Sequence, residues 1–135
     1  MTDVATVDVK KLTVYLLSST SVDLQTATVT TLYTVPTGYR AVVDHVDVIC
    51  GSAASTTAVL TFGQSTAVTD FLDSQTMTNL AAQYDVVTCV PVPNATPVKK
   101  KSYAAGTVFQ VDVATADADG SDDATINVFG YIYEA

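Results

Sequence analysis

His45 is the only histidine in the chain and the residue best suited to proton transfer or metal binding. Asp44 and Asp47 flank it, so one hypothesis is that it serves as a general base or a metal ligand. Along an extended strand, however, Asp44 and His45 would point to opposite faces, which makes them a poor catalytic pair. We therefore favour a structural role, in which His45 packs or hydrogen-bonds at a sheet surface or a subunit contact.

The acidic segment 117–123 is a second candidate, because its aspartates alternate with small residues around Gly120. Carboxylates at such spacing resemble the start of a calcium-binding loop. The distal bidentate glutamate of such a loop is missing, and an extended pattern resumes directly after the segment. A polar hairpin tip is therefore the alternative to a Ca²⁺ site. If the segment bound Ca²⁺, the ligands would be Asp117, Asp119, Asp122 and Asp123.

The last extended segment carries three aromatic residues at a spacing of two, namely Phe129, Tyr131 and Tyr133. Such a stripe stacks on sugars in some proteins, and in others it belongs to a core or a subunit contact. Gly130 and Ile132 occupy the opposite face of the same strand. This pattern predicts a strand covered on both faces, by a second sheet or by a neighbouring subunit.

Strands must position these residues, because 22 valines and 22 threonines make up about a third of the 135 residues, while glutamate occurs once. A chain of this length buries the core of one domain. We predict an all-β fold, a single-domain antiparallel β-sandwich that is jelly-roll-like and has about eight strands. Residues 1–10 are expected to form an N-terminal arm or edge strand, and residues 11–135 the sandwich domain.

Turn residues divide the chain into candidate strands. Residues 66–83 are the least regular part, where a short helix or a long loop fits the pattern. The strands on either side of Pro36-Thr37-Gly38 are expected to pair around this corner, and the last two strands to form a hairpin. The predicted strands cover residues 11–18, 27–35, 39–50, 57–63, 84–90, 98–103, 108–115 and 125–133.

The charge balance is acidic, with a formal net charge of −8 and a pI near 4.1. Nucleic acids and anionic membranes repel such a surface, so neither is expected as a partner. An apolar run of about 18 residues, long enough to span a membrane, is missing, and the N-terminus lacks the pattern of a signal peptide. We expect synthesis in a reducing cytoplasm, with Cys50 and Cys89 as buried thiols or, alternatively, as a disulfide.

The sequence contains no nucleophile elbow, zinc-ligand spacing, phosphate-binding loop or dinucleotide-binding turn. Residues that commonly carry catalysis are also scarce, since the chain has one histidine and one glutamate. We therefore expect no enzymatic activity and, apart from the Ca²⁺ alternative, no cofactor.

Residues 32–43 (LYTVPTGYRAVV) join a strand ending in Val-Pro-x-Gly to a strand that opens with a basic residue. This segment resembles one common in small structural proteins of tailed bacteriophages. A later pattern is also similar, formed by residues 105–108 (AGTV) and, after an acidic tip, residues 126–131 (INVFGY). Such proteins include capsid decoration (cement) proteins and modules of tails, fibres and spikes, and the quoted segments encode turns and strands. The small size and the lack of a second domain and of a fibre repeat favour a capsid decoration protein.

The resemblance implies a jelly-roll virion protein, a homotrimer without catalytic activity, made in the host cytoplasm and placed on the capsid surface. Its partner would be the major capsid protein or another virion protein. We expect the N-terminal arm to add to a sheet edge and nearby lysines to pair with acidic groups on the shell. The expected contact residues are Thr2, Asp3, Val4, Val7, Val9, Lys10, Lys11, Lys99, Lys100 and Lys101.

The alternative function is a carbohydrate- or receptor-binding module of a phage tail, fibre or spike. This hypothesis requires exposed aromatic rings that stack on a sugar. The candidates are Tyr15, Tyr33, Tyr39, Tyr84 and Tyr131.

Overall fold

The computed structural model describes residues 13–91, 99–118 and 123–135. Within these ranges the chain forms nine β-strands and no helix, so none of them contains a helix that could cross a membrane. The strands are β1 (Tyr15–Asp23), β2 (Val29–Thr34), β3 (Tyr39–Cys50), β4 (Val59–Gln64), β5 (Ala67–Thr76), β6 (Val86–Cys89), β7 (Ser102–Tyr103), β8 (Val108–Thr115) and β9 (Asp123–Glu134).

The strands form two antiparallel sheets that pack as a sandwich. The first sheet has the order β1-β9-β3-β6, with β7 also paired to β3, and the second has the order β2-β8-β4-β5. Successive strands mostly alternate between the sheets, which is the jelly-roll arrangement. The predicted all-β sandwich is thereby confirmed.

The ninth strand arises because one edge of the first sheet is built from two pieces. β6 pairs with Val46–Ile49 of β3, and the two-residue β7 pairs with Ala41 and Val42 further along the same strand. Pro91 directly follows the end of the β6 region, and proline removes a backbone donor that a continuous strand would need. β6 and β7 thus fill the place of one interrupted strand.

Two predicted pairings are wrong. β2 and β3 flank the Pro36 corner but lie in different sheets, and β8 and β9 are likewise split between the sheets. Alternation in a sequence shows that a strand buries one face, but not which strand lies beside it. A short connection serves equally well to return within one sheet or to cross to the facing sheet.

The Pro36 corner itself has the predicted turn. Gly38 has a φ of 85°, and the Tyr39 N–H donates to the Pro36 carbonyl over 3.2 Å. A left-handed residue at this position is favourable for glycine. Val35 also exchanges two backbone hydrogen bonds with Gly106 and Thr107, at 2.9 and 3.0 Å. The two turns that carry the sequence resemblance therefore lie side by side.

The segment predicted to be irregular contains β5, an edge strand of the second sheet. Between the pairs Phe62–Leu72 and Gln64–Ala67, β5 advances five residues while β4 advances two. This wide bulge lets consecutive residues, Phe71 and Leu72, both be buried, which disrupts the alternation expected of a strand. The short helix considered for this region is therefore wrong.

The core lies between the sheets, and a polar contact ties them together. Tyr103 of β7 is 4% exposed, and its hydroxyl donates a 2.9 Å hydrogen bond to Oδ1 of Asp70 on β5. The Asp70 carboxylate also accepts from the Gln64 backbone and side chain. The largest fully buried side chains include Phe62, Phe109, Leu24, Leu60, Met77 and Leu80.

Cys50 and Cys89 are buried and are not joined in a disulfide, and the Cys50 thiol donates to the Ala53 carbonyl. The Cys50 N–H donates to the Asp85 carbonyl, so along the β3–β6 pair the two cysteines are separated by four residues of β6. At a rise of roughly 3.3 Å per residue, this separation exceeds the reach of a disulfide.

Candidate interaction surface

The face of the first sheet that points away from the second sheet, here called the outer face, carries the aromatic stripe of β9. Ile126 and Val128 point inward and are fully buried, so Phe129, Tyr131 and Tyr133 alternate outward. Phe129 and Tyr131 are half-buried and Tyr133 is 38% exposed. The second sheet covers the inward face of β9, while the stripe remains accessible within this chain, so coverage of the outer face by a neighbouring subunit stays a prediction.

An apolar row crosses three strands of the outer face. Leu16 of β1 pairs with Phe129 of β9, which pairs with His45 of β3. The rings of Phe129 and His45 are stacked, with centroids 4.7 Å apart and an interplanar angle of 13°. Leu16, at one end of the row, is 48% exposed. This row presents apolar and aromatic surface suited to contact with a partner.

A β-bulge at Asp44 places the polar residues beside this row. Val43 pairs with Gly130 and His45 pairs with Phe129, so Asp44 is an extra residue on β3. Asp44 and His45 consequently meet, and His45 Nδ1 lies 2.8 Å from Asp44 Oδ2. The prediction that the Asp44 and His45 side chains point to opposite faces is therefore wrong.

Lys100 completes this cluster by forming an ion pair with Asp44. The hydrogen bond from Lys100, followed by that of His45, lowers the pKa of the Asp44 carboxyl. The side chains of Asp44 and His45 are each 26% exposed. The Asp44 carboxylate is thus held by Lys100 and by His45, and His45 is itself stacked on Phe129. Together these side chains form a preorganised polar contact at the rim of the apolar row.

A second polar cluster lies at the other end of the outer face. Arg40 donates through Nε to Ser102 Oγ and through Nη2 to the Ser102 carbonyl, both at 3.0 Å. Ser102 Oγ also shares a 2.7 Å hydrogen bond with the Tyr133 hydroxyl. This hydrogen bond from Ser102, supported by Arg40, lowers the pKa of Tyr133. The three side chains fix the orientation of the exposed Tyr133 ring.

The segment considered for Ca²⁺ is only partly described. Asp117 is 5% exposed, and its Oδ1 accepts from the Thr57 hydroxyl at 2.6 Å and the Thr57 N–H at 3.2 Å. Asp123 is exposed at the start of β9, whereas Asp119 and Asp122 lie outside the described residues. The described residues contain no group of three or more metal-ligating side chains. Ca²⁺ binding stays a prediction, and calorimetric titration with Ca²⁺ tests it.

The predicted lysine contacts fall partly within the described residues. Lys99, Lys100 and Lys101 are exposed, and Lys99 and Lys101 line a groove beside β5 together with Asp70 and Asp73. The remaining predicted contacts lie outside the described residues, namely Thr2, Asp3, Val4, Val7, Val9, Lys10 and Lys11.

The five tyrosine rings that the sugar-binding alternative requires differ in their exposure to solvent. Tyr84 is 75% exposed, in a left-handed conformation with a φ of 72°, just before β6. The other four are half-buried, namely Tyr15, Tyr33, Tyr39 and Tyr131. Tyr33 is withdrawn enough for burial to raise its pKa, with a smaller contribution from nearby Tyr15.

Sequence reasoning missed the Asp44 bulge, although a signal for it exists. Val43 and Val46 both point into the core, yet they are separated by two polar residues instead of one. A strict period of two cannot bury both valines, and an inserted residue can. The contact from Lys100 had no such signal, because it comes from a distant loop.

The sequence matches no protein-family model and no curated protein. The fold is similar to a chain of the cyanophage Pam1 capsid asymmetric unit, with a TM-score of 0.56 and 17% identity over 87% of this chain and 84% of that chain. It is also similar to a chain of the acidic stable capsid of Helicobacter pylori bacteriophage KHP30. The TM-score is 0.53 and the identity is 18%, over 90% of this chain and 92% of that chain. A chain of the Ralstonia phage GP4 capsid is similar with a TM-score of 0.52 and 14% identity, over 88% of this chain and 83% of that chain. At these identities the likeness shows the fold.

Proposed function

We propose that this protein is a phage capsid decoration protein, a non-enzymatic virion component that binds the outside of the head and stabilises it. The observation that carries this proposal is the shared jelly roll with chains from three phage capsid structures. In each comparison the coverage of the two chains is nearly equal, so the matched chains have about the length of this one. A small chain of this size suits an accessory component of a capsid.

The described surface supports a binding role. The apolar row of Leu16, Phe129 and His45 lies on an open sheet face, with the Asp44–Lys100 ion pair beside it. Sheet faces of this kind contribute affinity through apolar burial, while polar groups at the rim contribute specificity. We propose that the partner is the major capsid protein or another virion protein.

The N-terminal arm is the second proposed contact. Residues 2–9 directly precede the lysines at 10 and 11, and the described chain enters edge strand β1 shortly afterwards. An extended arm adds to a sheet edge of a partner through main-chain hydrogen bonds. Each exposed lysine pair contributes only about 0–1 kcal/mol, so affinity must come from apolar burial and from several arms of an oligomer acting together.

Co-sedimentation tests this proposal with heads of the phage that encodes the chain, prepared without it. We expect the full chain to sediment with these heads and to raise the temperature at which they release DNA. Deletion of residues 2–9 is expected to abolish binding while the thermal unfolding of the free chain is unchanged. As a matched variant of full length, Val4, Val7 and Val9 are replaced by serine, which removes the apolar side chains but keeps the arm.

The possible results separate the parts of the proposal. Undiminished binding by the truncated chain would overturn the arm and leave the outer face as the contact. Failure of the full chain to sediment with heads, combined with binding to purified tails, would favour the receptor-binding alternative.

A further inference from the structure

One side of the sandwich is built from an almost uncharged stretch of sequence. Between Thr13 and Tyr39 the only charged residue is Asp23, although 15% of the chain is charged. The Asp23 carboxylate accepts hydrogen bonds from the Gln25 N–H and the Thr26 hydroxyl, both at 2.9 Å. It therefore closes the turn after β1 and lies at the end of the strand.

This stretch forms two edge strands that lie on the same side of the molecule. β1 is an edge of the first sheet and β2 an edge of the second, and the two strands contact each other across the sandwich. We call the surface formed by Tyr15–Asp23 and Val29–Thr34 the β1–β2 side. Among the residues that the structure describes, no strand pairs with the outer backbone edge of β1 or of β2, so the two edges lie together on this side.

The β1–β2 side lacks most of the features that prevent an edge strand from pairing with another chain. Edge strands are usually short, charged, interrupted by proline or strongly bulged. On the opposite side β6 and β7 have four and two residues, and β5 carries Asp70 and Asp73 with a wide bulge. β1 has nine residues, none of them lysine or proline, with a single one-residue irregularity after Leu16.

Apolar side chains are also exposed along this side. Leu16 of β1 is 48% exposed on the outer face of the first sheet, and Val29 of β2 is 51% exposed on the outer face of the second sheet, so one exposed apolar side chain flanks each edge. Exposed apolar groups beside unpaired strand edges mark a surface that a protein partner covers.

We infer that the β1–β2 side is the surface through which copies of this chain associate with one another. The charge pattern favours a second copy of the chain as the partner. Each copy carries a net charge of −8, so identical copies repel wherever charged surfaces meet. The β1–β2 side is where two copies meet without like charges, and the cores of interfaces are depleted of charge in this way. Closed symmetry then makes the same side serve every copy.

This inference goes beyond the proposed function and does not depend on it, because self-association takes place without a head. The expected assembly is the trimer implied by the sequence resemblance. Phe129 and His45 of the outer face would remain available for a shell, whereas Leu16, at the β1 end of the apolar row, would be covered by the second copy.

Light scattering coupled to size-exclusion chromatography tests the inference on the full chain alone. We expect an oligomer for the wild type and a shift to monomer mass for Leu16→Lys and for Val29→Lys, which add a charge to each edge strand. The matched control is Val68→Lys, on edge strand β5, where the valine is 38% exposed and the oligomer should persist. Circular dichroism melting establishes that each variant is folded.

Hydrogen–deuterium exchange of the wild type gives a second readout that needs no substitution. Amides of Tyr15–Asp23 and Val29–Thr34 are expected to exchange more slowly at concentrations where the oligomer forms than after dilution, while those of β5 are unchanged. A wild type of monomer mass up to millimolar concentration overturns the inference. An oligomer that survives both lysine substitutions, or protection confined to another strand, also overturns it.

Discussion

The imidazole of His45 lies parallel to the ring of Phe129, with 4.7 Å between the ring centroids. The pair exists because the extra residue Asp44 shifts the register of β3, which sets His45 opposite Phe129. The same bulge brings Asp44 to His45 and within reach of Lys100. A single irregularity in one strand thus assembles the polar and aromatic parts of the outer face.

Gly130 is expected to be essential for this bulge. A Cβ added at Gly130 would collide with the Val42 carbonyl of β3, which is backbone and cannot rotate away. Gly130→Ala should therefore lower the free energy of unfolding by about 2–4 kcal/mol, in the range of strained core substitutions. Chemical denaturation measures this loss. Gly106→Ala is the matched comparison. Gly106 has a φ of 80°, so an alanine there is strained by the backbone conformation, but the added Cβ would meet no other atom within 4 Å. Equal losses in the two variants would argue against the collision.

The Asp44–Lys100 pair should make stability depend on pH in the acidic range. The folded pKa of Asp44 lies below its ordinary value of 3.8, so the pair stabilises the fold above that pH and loses this contribution as the pH falls through the folded pKa. Asp44→Asn is expected to cost about 0.5–1 kcal/mol at pH 7 and less at pH 2.

Denaturation curves at both pH values measure the cost, with Asp112→Asn as the control. Asp112 is half-buried in β8, and no ion pair involves it among the described residues. A cost for Asp44→Asn that is the same at pH 7 and pH 2 would mean that lost packing, and not the charge, is responsible.

The hydrogen bond from Tyr103 to Asp70 should contribute to stability and to its alkaline limit. Tyr103→Phe removes a buried hydroxyl that donates to the half-buried Asp70 carboxylate, with an expected loss of about 1–2 kcal/mol at pH 7. Burial, and then Asp70, raise the pKa of Tyr103 above its ordinary value of 10.0. The unfolded chain therefore releases this proton first as the pH rises, so wild-type stability should fall above pH 10.

Tyr103→Phe should lose less stability than the wild type between pH 9 and pH 11, because the variant has no proton to release at this position. Urea denaturation across this range measures the difference. Tyr84→Phe, at a ring that is 75% exposed, is the control and should follow the wild type. Parallel alkaline curves for the wild type and Tyr103→Phe would contradict the assignment.

The two thiols should resist modification in the folded protein. Burial, followed by the charge of Asp47, raises the pKa of Cys89 to about 11, and Cys50 is 1% exposed. Because the thiolate is the reactive form, iodoacetamide at pH 8 should leave folded protein unlabelled and label both cysteines in guanidinium. Mass spectrometry counts the adducts. Rapid labelling of the folded chain, or a failure of one thiol to react after unfolding without reductant, would contradict two buried cysteines that are not joined in a disulfide.

How much of the fold the sequence predicts depends on how regular each strand is. β3 and β8 have the predicted bounds, because the turns at Gly38 and Gly106 mark where they begin; the Asp44 bulge changes which face the β3 side chains occupy but not where the strand ends. β1 was expected at 11–18 but extends to Asp23, since its second half consists mainly of serine and threonine at a sheet edge. β5 escaped prediction because its bulge sets Phe71 beside Leu72 in the core.

The outer face was predictable only in part, for the same physical reason. The stripe of Phe129, Tyr131 and Tyr133 follows from a period of two, which β9 keeps throughout. The union of Asp44 with His45 needs a bulge, and the contact of Asp44 with Lys100 joins residues 56 positions apart. A local sequence pattern encodes neither which strands pair nor which distant loop contacts a strand.

The proposed role in capsid decoration is tested most directly by cryo-electron microscopy of heads of the phage proposed to carry this chain, with and without the purified protein. We expect difference density on the outer surface of the shell that repeats with the symmetry of the shell and fits the two sheets of the jelly roll. Shells identical with and without the protein, or density found only on the tail, would contradict a role in capsid decoration.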